Sequence, residues 1–235
     1  MAALSDRPPL FALDRKLSHE EINSLPLASY TGVIQVVRSR EQVLHAVREL
    51  RNERVLGFDT ETRPAFRKGE SYPPALLQLA GSSAVYLFHL QSLGLPAEVA
   101  ELLADPRIVK AGVAVGRDLL ELRRLTEFQP RGFVDLGERA ENSGIAHHGL
   151  RGLAALLLGC RIPKSAQLTN WARPHLPSNA LRYAATDAWL GRRLHEAMAE
   201  RGVVSKPGGG GGAKGFWRQC LDVITRKGRD RRKEP

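Results

Sequence analysis

Short apolar runs alternate along the chain with stretches of helical spacing, and the two periods predict a mixed α/β architecture. Val55 to Asp59 is a brief apolar run that ends in an acid, as a buried strand does. Ala75 to Ala80 and Ala84 to His89 are two more such runs, separated only by Gly81-Ser82-Ser83, which predicts a hairpin pairing antiparallel beside the first strand. Ile108 to Val115 and Phe133 to Leu136 complete a set of five predicted strands. Between them, Gln42 to Asn52, Pro96 to Leu103 and Gly116 to Leu125 carry apolar residues at helical intervals. After the last strand helices dominate: Gly149 to Leu158, then a long one from about Ser178 to Glu200. In that helix Leu181, Ala184, Ala185, Ala188 and Leu194 recur on one side, and Ser178 is read as the N-cap. Near the start, Ser18 followed by Glu21 has the form of a capping box.

At 235 residues and 43% hydrophobic, the chain suffices for one core with appended segments. Residues 1–31 are read as an N-terminal arm, 32–202 as the main domain and 203–235 as a glycine-rich linker with a basic tail. No apolar stretch approaches spanning length, which disfavours a membrane as partner. The formal charge is +10, and from Val203 onward nine Lys or Arg stand against three acids, so more than half the excess sits in the tail. That favours a polyanionic partner, with nucleic acid first, although basic residues also serve solubility alone. Gly208 to Gly212 is expected to be a flexible linker, and Gly215 to Ile224 (GFWRQCLDVI) a short amphipathic helix. A phosphate-binding loop fails at Ala213 and Gly215, where that motif needs Gly and Ser or Thr. Cys160 and Cys220 are isolated, without the spacing of a zinc site or disulfide framework. The first residues lack the layout of a secretory signal, which points to a reducing cytoplasm.

Acids carry the candidate chemistry. Asp59 and Glu61 stand two apart on an extended segment, so both carboxylates face one side and reach a common metal; the same acids also suit a solvated strand end. Asp118 lies where a strand gives way to a helix and is read either as a ligand or as an acid satisfying helix amides. Tyr183 and Asp187 are four apart on a helix and share a face, as ligand-and-partner or as core hydrogen-bonding groups. Hard oxygen donors of this kind select Mg²⁺ or Mn²⁺ over zinc.

Three segments, FDTE (Phe58–Glu61), KAGVAVGRDL (Lys110–Leu119) and YAATDA (Tyr183–Ala188), resemble in order the motifs of the DEDD superfamily of 3′–5′ exonucleases. Tyr183, four before Asp187, fits the tyrosine branch, which includes ribonuclease D and the exonuclease domain of Werner-type helicases. The histidine branch would need His where Arg182 stands. LLQLA, YLFHL, FVDL and LTNW also look like this family, and the match covers about Val33 to Glu200. The resemblance implies a ribonuclease-H-like fold: a mixed five-stranded sheet, three antiparallel strands then parallel ones, flanked by helices, in a free-standing, bacterial-like form. It implies two divalent cations, Mg²⁺ or Mn²⁺, held by Asp59, Glu61, Asp118 and Asp187, with Tyr183 orienting the attacking water. The substrate would be the 3′ end of single-stranded or frayed nucleic acid, cleaved to 5′-mononucleotides. A catalytically silent nucleic-acid-binding module of the same fold is the alternative, and Tyr183 disfavours an endonuclease. By the same resemblance Phe66 or Leu77 would wedge between terminal bases, the alternative being core or loop packing, while Arg63, Arg67 and Lys68, beside the first motif, are read either as phosphate contacts or as solvated charges. Thr62 departs from the Trp common at that position. Trp171 is read as structural, and His147 and His148 as loop residues outside the chemistry.

Overall fold

The computed structural model describes residues 12–65, 67, 69–163 and 169–203. Phe66, Lys68, the glycine linker, the 215–224 segment and the basic tail lie outside them. In chain order the elements are α1 (His19–Ser24), β1 (Val33–Val37), α2 (Arg40–Leu50), β2 (Val55–Thr62), β3 (Pro74–Ala80), β4 (Ala84–His89), α3 (Leu90–Leu93), α4 (Ala97–Ala104), β5 (Val109–Gly112), α5 (Val115–Leu125), β6 (Phe133–Asp135), α6 (Leu136–Asn142), α7 (Leu150–Leu153) and α8 (Ser178–Glu200). α7 continues directly into a π-helical segment, Ala154–Leu158, where a single α-helix was expected.

The sheet has six strands in the order β1-β4-β3-β2-β5-β6, one more than the five expected. β2, β3 and β4 pair antiparallel, whereas β5 and β6 run parallel to β2. The additional strand is β1, an edge strand parallel to β4. Every residue of β3 and β4 is buried, which is why both read as near-continuous apolar runs, Gln78 interrupting β3, rather than alternating ones.

Each face of the sheet has its own cover. Leu56, Phe58, Leu77, Leu79, Tyr86 and Phe88 point to the side packed by α2, α4 and α5. Leu76, Ala80, Val85 and Leu87 point to the other side, against Ala180, Tyr183, Ala184, Ala185 and Ala188 of α8. Small residues let α8 come unusually near the strands. A Cβ on Gly57 would lie 1.8 Å from the Ala188 carbonyl oxygen, and one on Gly191 2.6 Å from that of Ala111. Arg192 fixes this seam, donating to Glu53 Oε2 and the Val55 carbonyl oxygen at 2.8 Å each. The N-terminal segment is docked as well: Leu17 and Leu25 are buried, and the Tyr30 amide donates to the Thr186 hydroxyl at 2.9 Å. The Ser18 capping box forms as expected, but Ser178 is the first residue of α8, and Pro177 takes the N-cap position without a side-chain bond.

Candidate active site

β2 supplies the first two acids. Asp59 and Glu61 fall on the same face as Gly57, two and four residues beyond the glycine that admits α8. Asp187 precedes Ala188, the residue seated over Gly57, so the packing that brings helix to strand also brings the third acid to the first two. Asp59, Glu61 and Asp187 each offer a carboxylate oxygen, and these oxygens lie within 4.8 Å of one another. The Tyr183 hydroxyl, one turn earlier on α8, hydrogen-bonds to Asp187. Asp118, on the first turn of α5, stands outside that triad, yet its charge is felt by both Asp59 and Glu61. The arrangement is therefore three convergent acids and a fourth set back from them.

Electrostatics shows what the cluster needs. Burial, then the charges of Asp187, Glu61 and Asp118, holds Asp59 well above the usual carboxylate range. Glu61 is pushed up to about 8 by burial and then by Asp187 and Asp118. Burial raises Asp187 to about 7 against the opposing Tyr183 hydrogen bond, and raises Asp118 to about 6 against the Thr60 hydroxyl and Arg117. Asp187 Oδ1 is buried without a hydrogen-bond partner among the described residues. An all-oxygen donor set, mutually repelling and with one oxygen orphaned, fits a hard divalent cation.

A stability signature follows. These carboxyls have folded values above their unfolded ones near 4, so the folded protein retains protons that the unfolded chain has released. The favourable contribution is complete below about pH 4 and is lost as pH rises through 6 to 8. In chelator, the melting temperature is expected to fall across that window by about 2–4 °C per kcal/mol lost, with Mg²⁺ restoring more at pH 8 than at pH 6. Melts in EDTA and in Mg²⁺ at several pH values check this; a Mg²⁺ shift independent of pH would refute the charge argument.

The remaining candidates separate clearly. Leu77 is fully buried and pairs with Thr60, on the sheet face opposite Asp59 and Glu61, so the base-wedge expectation for it is corrected by strand parity. Arg63 and Arg67 are exposed, and the Arg63 guanidinium stacks over the Tyr72 ring at 4.7 Å from its centroid. Trp171 is fully buried beside Tyr183, with ring centroids 6.3 Å apart. His147 Nε2 accepts from the Leu17 amide and His148 bonds to the Ile145 carbonyl oxygen, away from the acids.

Two polar residues near the site were missed. Gln78 pairs with Asp59 across the sheet, on the same face, fully buried, and neither amide atom has a partner among the described residues. Its signal was available as the single polar residue in LLQLA. Asp135, at the end of β6, accepts from Val115, Gly137 and Glu138 amides. In sequence it is merely the acid closing FVDL.

The chain is similar to known proteins in sequence and in fold. A family model described as 3′-5′ exonuclease matches residues 34–202. The bifunctional 3′-5′ exonuclease/ATP-dependent helicase WRN of Mus musculus is 34% identical over 158 residues, 65% of this chain and 11% of that protein. Ribonuclease D of Pseudomonas paraeruginosa is 31% identical over 171 residues, 72% of this chain and 44% of that one. The chain thus spans less than half the length of these two relatives. Among solved structures, Escherichia coli RNase D superposes with a TM-score of 0.64 at 22% identity, covering 86% of this chain and 51% of that one. The Nibbler EXO domain of Aedes aegypti gives 0.67 at 21%, covering 74% and 92%. Trypanosoma brucei RNase D, solved in complex with RNA U12, gives 0.61 at 22%, covering 76% and 64%. These likenesses establish the shared fold, and with the family match across the body of the chain they place the protein in the 3′-5′ exonuclease family.

Proposed function

We propose that the chain is a metal-dependent 3′-5′ exonuclease acting on the 3′ end of single-stranded or frayed nucleic acid. Water adds to phosphorus at the terminal linkage, the bond from phosphorus to the preceding 3′ oxygen breaks, and a 5′-mononucleotide leaves. The observation that carries this reading is the convergence of Asp59, Glu61 and Asp187 oxygens within 4.8 Å, with Tyr183 bonded to the last of them. Two Mg²⁺ or Mn²⁺ ions would be held there by Asp59, Glu61 and Asp187, with Asp118 supporting them from its set-back position. When bound, such a pair lowers the pKa of water and neutralises charge on the leaving oxygen. Asp187 fixes the direction of the Tyr183 hydroxyl, which orients the attacking water. Arg63, braced on Tyr72 just beyond Glu61, is proposed to contact a substrate phosphate, and Phe66 keeps the proposed role of base wedge.

Residues 32–202 are taken as the catalytic body and 203–235 as a basic appendage that adds nonspecific attraction to phosphates. No described helix is long and apolar enough to cross a membrane. A cytoplasmic setting is proposed from the isolated thiols, Cys160 among them free and buried.

Digestion of matched DNA and RNA oligonucleotides labelled at the 5′ end tests the proposal. Ladders shortening from the 3′ end, mononucleotides by mass spectrometry, dependence on Mg²⁺ or Mn²⁺ and loss in Asp187→Ala are expected. Cleavage of circular substrate, or activity untouched by Asp187→Ala, would overturn it.

A further inference from the structure

Asp135 is the last residue of β6, and its carboxylate is shared between two helices. Oδ1 accepts from the amides of Gly137 at 2.9 Å and Glu138 at 3.2 Å, an N-cap of α6. Oδ2 accepts from the amide of Val115 at 3.0 Å, which is the first residue of α5 and follows a different strand. Pairing of β5 with β6 makes this reach possible, because Gly112 at the end of β5 lies opposite Asp135.

α5 needs help from outside its own segment. Its N-cap residue, Ala114, has no side-chain acceptor. Ala114 also has φ of +57°, the only positive value outside glycine among the described residues. An L residue with a Cβ is strained in that conformation, which persists only where its surroundings impose it. The turn from β5 into α5 is thus a strained junction fastened from β6. Asp118 rides on the first turn of this helix, three residues after Val115. Where the helix starts, and in which direction it leaves the sheet, decides where the Asp118 carboxylate stands relative to Asp59 and Glu61.

We propose that Asp135 is a positioning residue for Asp118, clamping the β5–α5 turn so that the set-back fourth acid completes the metal site. The proposal rests on the exonuclease reading in taking Asp118 as a metal ligand and in taking two ions at the site. Asp135 stays off the metal and off the substrate. Because Asp118 is the acid outside the convergent triad, the ion it supports is the more weakly held of the two, and that ion is the one Asp135 controls.

Asp135→Asn opens the clamp and also removes a charge that Asp118 feels, so Asp135→Glu, which keeps the charge but displaces the carboxylate, is measured beside it and should show the same loss. In D135N the one remaining oxygen serves the two amides of α6 rather than the single amide of α5, leaving the new NH₂ group against the Val115 N–H. Mn²⁺ binding is measured calorimetrically on the metal-free full chain. In D135N the weaker binding event should lose about tenfold or more in affinity, as is typical when a group orienting a ligand is removed, while the tighter event stays within about twofold. The Mn²⁺ concentration for half-maximal oligonucleotide digestion should rise in parallel, with the rate at saturating Mn²⁺ largely recovered. Leu50→Ala, a core change beneath α2, controls for lost stability and should leave both binding events unmoved. Unchanged weak-site affinity in D135N, an equal loss in L50A, or a wild type with no second binding event would each overturn the proposal. A wild type that binds two Mn²⁺ but digests nothing sinks the exonuclease reading alone, and the calorimetry still decides the role of Asp135.

Discussion

Asp59→Asn is expected to abolish digestion of nucleic acid and, in the same protein, to raise the melting temperature of the metal-free form. The two effects have one cause. Asp59 feels the charges of Asp187, Glu61 and Asp118 on top of its burial, so three neighbouring acids oppose its ionisation. Without metal, a neutral amide of the same shape removes that repulsion and offers an NH₂ donor to the neighbouring carboxylates. Each tenfold displacement in proton affinity is worth about 1.4 kcal/mol, so at pH 8 the gain should be on the order of 1–3 kcal/mol. At pH 5 it should nearly vanish, because the other carboxyls, at about 6 to 8, are by then largely protonated in the folded protein. With metal the sign reverses, since a residue proposed to hold the ions has lost its charge. Several kcal/mol of transition-state stabilisation correspond to a rate loss of about 10³-fold or more. Melts at pH 5 and pH 8 in chelator, beside a digestion assay, read both halves. An Asp59→Asn protein that melts lower than wild type at pH 8 would show that the acids are not held together against their charge.

What was legible in the sequence divides along physical lines. β3, β4 and the first half of β2 announce themselves because both faces of this part of the sheet are covered, so their apolar runs are nearly continuous. α8 is equally plain, since its row of alanines records how near the helix must lie to the strands. β1 was not recognised: VIQVV is a half-exposed edge strand whose partner, β4, lies some fifty residues on, with no local turn to tie them. Leu77 shows a different limit. A strand residue next to a catalytic segment is as often on its far face as on its near one, and only the register Thr60 to Leu77 settles which. AALLL is buried throughout, so no periodicity separates a π turn from an α-helix there. For the site, spacing alone brings Asp59 to Glu61 and Tyr183 to Asp187, whereas the distance of Asp118 depends on how α5 leaves the sheet. That direction is governed by Asp135, a residue of another strand, and no reading of KAGVAVGRDL by itself contains it.

Gly57→Ala is expected to cripple both stability and activity through one methyl group that itself takes no part in the chemistry. The new Cβ would stand 1.8 Å from the Ala188 carbonyl oxygen and 2.9 Å from the Arg192 amide nitrogen, both in the backbone of α8. No side chain can swing aside to relieve the overlap, so the helix must lift by roughly 1.5 Å to recover ordinary contact distances. Lifting loosens the Arg192 bonds to Glu53 and Val55 and opens the packing of Ala184, Ala185 and Ala188 on the sheet. Overpacking of this kind costs about 3 kcal/mol or more, or roughly 6–12 °C in melting temperature for a domain of this size. The chemistry suffers separately, because Asp187 travels with α8 while Asp59 and Glu61 stay on β2. A misplacement of about 1 Å at a reacting centre costs around 10²-fold in rate, so activity per folded molecule should drop by at least that much at temperatures where the variant remains native. Ala188→Gly in the same protein should not rescue it, since the clash is with the carbonyl of residue 188 and not with its methyl. Gly191→Ala, which meets the Ala111 oxygen at 2.6 Å one turn further along α8, should lower stability with a smaller effect on rate, because the seam opens farther from Asp187. A Gly57→Ala protein with wild-type melting and wild-type turnover would mean that the close approach of α8 to β2 is not what gathers the acids.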